Sequence, residues 1–107
     1  MHEGLDFVAD VGSPILSTAA GTVVRSGWDA SFGNVVEVRH IEGFVTRYAH
    51  LSKRMVDEGQ KVERGQTIAL LGTTGRSTGP HLHYEVLRND RVLNPMQMLM
   101  QASANPQ

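Results

Sequence analysis

The sequence predicts an all-β fold, mainly antiparallel, with a compact sheet as its core. Apolar residues recur at every second position in several short runs, as expected of strands with one buried face. The eleven glycines fall largely between these runs, which is typical of tight turns and bulges in antiparallel sheets. The predicted strands cover residues 14–19, 22–25, 34–39, 44–48, 67–71 and 81–87.

One short helix is predicted near the C-terminal end. Asn94 can cap it, Pro95 suits a first helical turn, and residues 96–100 continue it. Residues 101–107 are small and polar without apolar periodicity, so we expect a flexible tail. The folded domain is therefore predicted to cover residues 1–100.

Size and composition exclude several classes of protein. A chain of 107 residues with 40% hydrophobic content suits a single domain. Ten Lys and Arg against eleven Asp and Glu leave a net charge of -1, too little to gather nucleic acid by charge. The absence of cysteine excludes disulfides and thiolate metal sites. The apolar run Ile68 to Leu71 is far shorter than the ~20 residues that span a bilayer, so a soluble domain without a membrane span is expected.

Histidines give the clearest indication of chemistry. Five occur, and four of them lie in the segments HEGLD, RYAHLS and GPHLHYE, whereas His40 lies in none of these. Asp6 adds a carboxylate to the first segment. Imidazole and carboxylate together are the ligands that a catalytic zinc ion uses while one position stays open for water.

Each of these segments is weak evidence by itself. In a strand, His81 and His83 would point to one face and Leu82 into the core, but two surface histidines would give the same pattern. His2 and Asp6 are spaced for one face of a strand or of a helix, and a solvated pair near the N-terminus is the alternative reading.

Taken together, the segments resemble the lysostaphin-like, or LytM-type, zinc metallopeptidases. That family's signature is HxxxD, then a central histidine in a Tyr-x-His-Leu context, then HxH preceded by Gly-x-x-Gly-x-Ser-Thr-Gly-Pro. The matching residues run in this order from His2 through GTTGRSTGPHLHYE. The resemblance extends from His2 to Pro95 and includes EGQKVERGQTIALLG.

The resemblance implies a role for each residue of the site. It makes His2, Asp6 and His83 the ligands of one Zn2+ ion per chain, with water in the fourth position. It makes His50 and His81 a catalytic pair beside that water. His81 is our first choice for the general base and His50 for the second role, and the reverse assignment stays open.

Further residues are candidates for lining the groove. Glu85 continues the alternation of the HxH segment and is expected either to orient an imidazole as a hydrogen-bond acceptor or to face solvent. Ser77 and Thr78, in the loop of residues 73–80, are expected to present hydroxyl groups to a peptide substrate, unless the loop is only a tight turn. Tyr48 could face the groove beside His50 or lie in the core.

The predicted function is that of a zinc-dependent endopeptidase acting on peptide cross-links of bacterial peptidoglycan. Its partners would be the stem peptides, and a monomer in the periplasm or at the cell envelope is expected, with an export signal or anchor upstream. Family members cut glycine bridges or bonds that involve D-amino acids. GRSTGPHLHYEV resembles members from bacteria with an outer membrane, whose usual target is the D-alanine to diaminopimelate cross-link.

Two other functions compete with this prediction. Some relatives have lost metal ligands and act as binding modules that activate cell-wall amidases, but this chain keeps all five site residues. A purely structural zinc ion ordinarily has four protein ligands, whereas two further histidines accompany the three ligands here. Both observations favour an enzyme over a binding module and over a structural zinc site.

Overall fold

A computed structural model describes residues 5–8, 10–74, 81–89 and 91–93, and for residues 5–8 and 81 only the backbone is described. The strands are β1 Leu5–Val8, β2 Pro14–Leu16, β3 Gly21–Asp29, β4 Gly33–Arg39, β5 Phe44–Arg54, β6 Lys61–Val62, β7 Thr67–Leu71, β8 His81–Arg88 and β9 Arg91–Leu93. A 3-10 turn, Ile41–Gly43, precedes β5. The predicted all-β, antiparallel fold is confirmed, and the predicted C-terminal helix lies outside the described residues.

The strands form one antiparallel sheet. Its main order is β1-β8-β5-β4-β3-β6, while β9 pairs with β8 and β2 pairs with β7. The hairpin of β3 and β4 pairs from Thr22 opposite Arg39 to Asp29 opposite Gly33, with one register shift between Val23 and Arg25. Within the described part of the chain, no helix has the length and hydropathy needed to cross a bilayer.

Strand β5 is the centre of the arrangement. Strand β4 runs along one edge of β5, and β8 and β7 follow one another along the opposite edge. Strand β8 faces β5 from Phe44 to Ala49, and β7 faces it from Leu51 onward. His50 therefore stands where one partner strand gives way to the other.

The hydrophobic core lies on one face of the sheet. Alternate residues of β4 and β5 supply it, and β7 with β2 closes it. Its members include Val36, Val38, Tyr48, Leu51, Ile68 and Leu71, each at most 1% exposed. Fully burying a side chain such as Val, Leu or Ile stabilises a fold by about 1.5–3 kcal/mol, so this face sets the register that positions the other face.

Several predicted boundaries were wrong. Strand β2 ends at Leu16, because the Ser17 hydroxyl turns to donate a hydrogen bond to the Ala19 carbonyl at 2.7 Å. Strand β3 continues through Gly27 to Asp29. Strand β5 continues to Arg54, since β7 pairs with its polar end.

Candidate active site

The register of three strands brings distant segments together. On β8, His83 stands opposite Asp6 of β1 on one side and opposite Ala49 of β5 on the other. The α-carbons of directly opposed residues in antiparallel pairs are about 4.5–5.5 Å apart. Asp6 of the HxxxD segment, the central-histidine segment and His83 of the HxH segment therefore meet at one place in the sheet.

His50 has an unusual backbone conformation. Its φ is 63°, in the left-handed region that non-glycine residues seldom occupy. Its N–H donates to the Phe32 carbonyl at 2.7 Å, and its carbonyl accepts from the Gly72 N–H at 3.0 Å. The register of β5 shifts on both edges near this residue, as is common beside functional sites.

The imidazole of His50 is held in one orientation. His50 is only 7% exposed, and its Nδ1 is 2.6 Å from the Thr74 carbonyl oxygen. A carbonyl only accepts hydrogen bonds, so Nδ1 carries the proton and, in the neutral ring, Nε2 carries the lone pair. This hydrogen bond thus assigns the Nδ1–H tautomer to the neutral ring.

Thr74 fixes the carbonyl that orients His50. Its hydroxyl donates to the Leu51 carbonyl at 2.5 Å and accepts from the Asn34 N–H at 3.1 Å. These bonds tie the segment after β7 to both β4 and β5. Thr74 was not predicted from the sequence, since a threonine in a glycine-rich loop carries no specific signal.

The ring of His83 has three described neighbours. It meets the His50 ring edge-on, with 6.1 Å between centroids and 64° between planes. The Phe32 ring stacks against it with a centroid distance of 6.2 Å and an interplanar angle of 20°. Its Nε2 lies 3.2 Å from Glu85 Oε2.

On the other face of β8, Leu82 and Tyr84 pack against the core, as the alternation predicts for Leu82.

A ladder of alternating charges leads to His83. Arg25 pairs with Glu37 at 3.2 Å, Glu37 with Arg47 at 2.8 Å, and Arg47 with Glu85 at 2.5 Å. Each step joins cross-strand partners, on β3, β4, β5 and β8 in turn. Opposite charges at such positions stabilise a sheet.

Burial and pairing act against each other in this ladder. Burial by itself raises the pKa of the Glu85 carboxyl, but hydrogen bonds from His83 and Arg47 outweigh it and lower that pKa below its ordinary value. Burial also lowers the pKa of the Arg47 guanidinium, while hydrogen bonds to Glu37 and Glu85 give a net increase. Both groups are therefore charged at neutral pH.

The structure separates the alternatives left open for two side chains. Glu85 is 4% exposed and contacts His83, so it is placed as an acceptor beside the imidazole and not in solvent. Tyr48 is 1% exposed, and its hydroxyl contacts those of Thr46 and Thr18, which is the core placement. Its contact with substrate stays a prediction.

Other predicted residues lie outside what the structure describes. These are His2, Ser77 and Thr78, together with the side chains of Asp6 and His81. Among the described side chains, no group of three or more His, Cys, Asp or Glu forms a metal site. The predicted ligand set thus stays a prediction, with the backbone register of Asp6 and His83 as its support.

Sequence reasoning missed two further residues of the site, Phe32 and Arg47. Phe32 lies in the turn between β3 and β4, where its N–H donates to Asp29 Oδ2 at 3.0 Å. No local pattern marks such a residue. Arg47 could have been found from the sequence. Three predicted strands carry the charged residues Glu37, Arg47 and Glu85, each at a position that alternates with predicted inward-facing ones.

The fold and the site define the class of the protein: the chain belongs to peptidase family M23, whose sequence profile matches residues 1–95. It is 49% identical over 94 residues to the peptidoglycan DD-endopeptidase ShyC of Vibrio cholerae, an alignment that covers 88% of this chain and 22% of that protein. The chain thus spans about a fifth of the length of that relative.

Two solved structures share the fold. A zinc-containing peptidase from Vibrio cholerae superposes with a TM-score of 0.83 at 47% identity, covering 86% of this chain and 28% of that one. The catalytic domain of the antimicrobial peptidase lysostaphin from Staphylococcus simulans gives a TM-score of 0.86 at 36% identity, covering 94% and 80%. The predicted resemblance to lysostaphin-like peptidases is confirmed.

Proposed function

We propose that this chain is the catalytic domain of a zinc-dependent endopeptidase that hydrolyses peptide cross-links in bacterial peptidoglycan. The observation that carries the proposal is the strand register, which sets Asp6 opposite His83 and places His83 beside His50. The relative ShyC, named a peptidoglycan DD-endopeptidase, supports a cross-link between two D-configured centres as the bond cut. The site of action would be the cell envelope.

The donor set fits a zinc ion. Because Nε2 of His83 faces the ionised Glu85 carboxylate, it carries the ring proton, and Nδ1 is the nitrogen with a lone pair for a metal. A carboxylate behind a ligating imidazole is the usual arrangement in zinc sites. We propose His83 through Nδ1, with Asp6 and His2, as the ligands. When bound, zinc polarises a carbonyl and lowers the pKa of coordinated water toward about 7.

The second part of the proposal concerns proton transfer by His50. With Nδ1 donating to the Thr74 carbonyl, Nε2 accepts the proton of an attacking water and can then pass it to the departing amine. The carbonyl also stabilises the imidazolium that forms between these steps. In the hydrolysis, the amide C–N bond breaks, water oxygen joins the carbonyl carbon, and a carboxylate and an amine are released. His81 is the proposed second member of the pair.

The test is incubation of the zinc-loaded chain with purified peptidoglycan sacculi, followed by mass spectrometry of the released fragments. The key variant is His50→Asn, because Asn tolerates a positive φ better than most residues and so preserves the backbone while removing the imidazole. Its matched control is His40→Asn, which removes the histidine bonded to Ala20 and Thr46 away from the site. Circular dichroism verifies folding of each variant.

We expect cross-linked dimers to be converted to monomers by the original chain and by His40→Asn. His50→Asn and chelator-treated protein should release none, since removal of a general acid–base alone costs about 10²–10⁴-fold in rate. Binding to sacculi without new termini would refute the peptidase and favour the amidase-docking module. Release by folded His50→Asn at the original rate would refute the role of His50.

A further inference from the structure

Arg47 contacts two of the residues that hold the His83 ring in place. Its Nη1 donates to Glu85 at 2.5 Å, and its guanidinium carbon lies 4.7 Å from the centre of the Phe32 ring. Glu85 and Phe32 are themselves the residues that hold the His83 ring, by a hydrogen bond and by stacking. A third contact, from Nε to Glu37 at 2.8 Å, anchors Arg47 from the opposite side.

We propose that Arg47 is a positioning residue that fixes the tautomer and orientation of the His83 imidazole. Its pair with Glu85 holds the carboxylate against Nε2, so that the ring proton stays on Nε2. Its contact with Phe32 holds the aromatic ring that packs on the imidazole. Arg47 touches neither substrate nor metal in this role, and the inference rests on the proposed function only in taking His83 as a zinc ligand.

The geometry requires a guanidinium and not merely a positive charge. The planar group donates in two directions, to carboxylates on β4 and β8, while its face lies against Phe32. A lysine ammonium is a compact point charge without a planar face. Lysine can therefore retain part of the charge balance, but it cannot maintain both carboxylate contacts and the stack.

In a protein without Arg47, the ring proton of a neutral His83 should be distributed over both nitrogens. A neutral imidazole has one N–H, and its position is set by the partner of the other nitrogen. Without Arg47, the Glu85 carboxylate is free to rotate away from Nε2. A fraction of the molecules would then carry the proton on Nδ1, the nitrogen proposed to bind the metal, and zinc affinity would fall.

The test compares Arg47→Met and Arg47→Lys with the original 107-residue chain. Long-range proton–nitrogen NMR of the metal-free, nitrogen-15-labelled protein reads the tautomer of His83 directly, at about pH 8 where histidine is neutral. Zinc affinity is measured separately by competition with a chromophoric chelator. We expect one Nε2–H tautomer in the original chain and a mixture in both variants. Zinc binding should be about 10–100-fold weaker, because loss of the carboxylate contact also removes the orientation and basicity that it gives the ligating imidazole.

Arg88→Met is the matched control. Arg88 stacks on Phe44 at 4.8 Å on the same pair of strands, with the two residues opposed in register, but away from His83. It should leave the tautomer and the zinc affinity unchanged. If Arg47→Met fails to fold, Arg47→Lys retains a cation between Glu37 and Glu85 and still tests the proposal.

A single Nε2–H tautomer with unchanged zinc affinity in a folded Arg47 variant would overturn the inference. Equal changes in the Arg88 control would overturn it as well. Failure of the original chain to cut sacculi is a separate result, because the tautomer and the zinc affinity are measured without substrate. The positioning role and the proposed hydrolysis can therefore fail independently.

Discussion

Replacing Gly72 with alanine should destabilise the fold and disturb His50 through a single methyl group. Gly72 is buried where the chain leaves β7, and its N–H donates to the His50 carbonyl. A β-carbon at this position would lie 2.7 Å from the α-carbon of Ser52 and 2.7 Å from its β-carbon. Carbon atoms pack best at about 3.5–4.0 Å, so backbone must move by roughly an ångström.

The size of this effect follows from two opposing contributions. Overpacking of a tight site costs about 1–3 kcal/mol, while a Gly→Ala change lowers the entropy of the unfolded chain and returns about 0.4–1 kcal/mol. Taking about 2–3 kcal/mol for a clash with backbone atoms and about 1 kcal/mol for the entropy leaves a net loss of about 1–2 kcal/mol. For a domain of this size, that loss corresponds to a decrease in Tm of about 4–16 °C.

Thermal unfolding followed by far-UV circular dichroism measures the change. The matched control is Gly27→Ala, inside β3, because a β-carbon there would meet nothing within 4 Å. That variant should keep or slightly raise the Tm, since glycine inside a strand is unfavourable. A Gly72→Ala protein within about 1 °C of the original, or a larger loss in Gly27→Ala, would refute the steric argument.

Two more substitutions test the supports of the site. Thr74→Val should lower kcat in the sacculus assay and cost about 1–3 kcal/mol. The Asn34 N–H loses its acceptor, and the Leu51 carbonyl loses one of its donors while it keeps the bond from Asn34 Nδ2. Unchanged kcat in a folded variant would contradict this. In Asp29→Asn, the free energy of unfolding should decrease less steeply as the pH falls into the acidic range. Hydrogen bonds from Phe32, Ser31 and Arg25 lower the Asp29 pKa, so its stabilisation is present above the unfolded value of about 3.9 and lost as pH falls through the folded value. Urea unfolding between neutral and acidic pH should therefore show a steeper acid loss for the original chain than for Asp29→Asn, and equal slopes would exclude this role.

The sequence predicted the fold wherever alternation was strong. The run of residues 67–71 is strand β7 as predicted, and 34–39 differs from β4 by one residue. Strands β1, β6 and β9 were missed because each has only two to four residues, too few to show a period. The end of β5 was missed because residues 49–51 are buried in succession and break the alternation. Ser52, Lys53 and Arg54 are exposed, and their pairing comes from β7 and not from a buried face.

The candidate site was predictable in its motifs but not in its supports. Histidines in a family signature are visible in the sequence, whereas strand alternation left Glu85 either beside an imidazole or facing solvent. Phe32 and Thr74 act through a stacked ring and a backbone carbonyl. Such contacts depend on which loops meet in space, and this is decided by the register of strands distant in sequence.

Strand β5 has a further consequence for the durability of the site. Because it is hydrogen-bonded along both edges, it belongs to the part of a sheet that opens only when the whole domain unfolds. His50 is embedded in this strand, between the segments paired with β8 and β7. The backbone position of this residue should therefore persist as long as the native state itself, and the rate of global unfolding should limit how long the site survives.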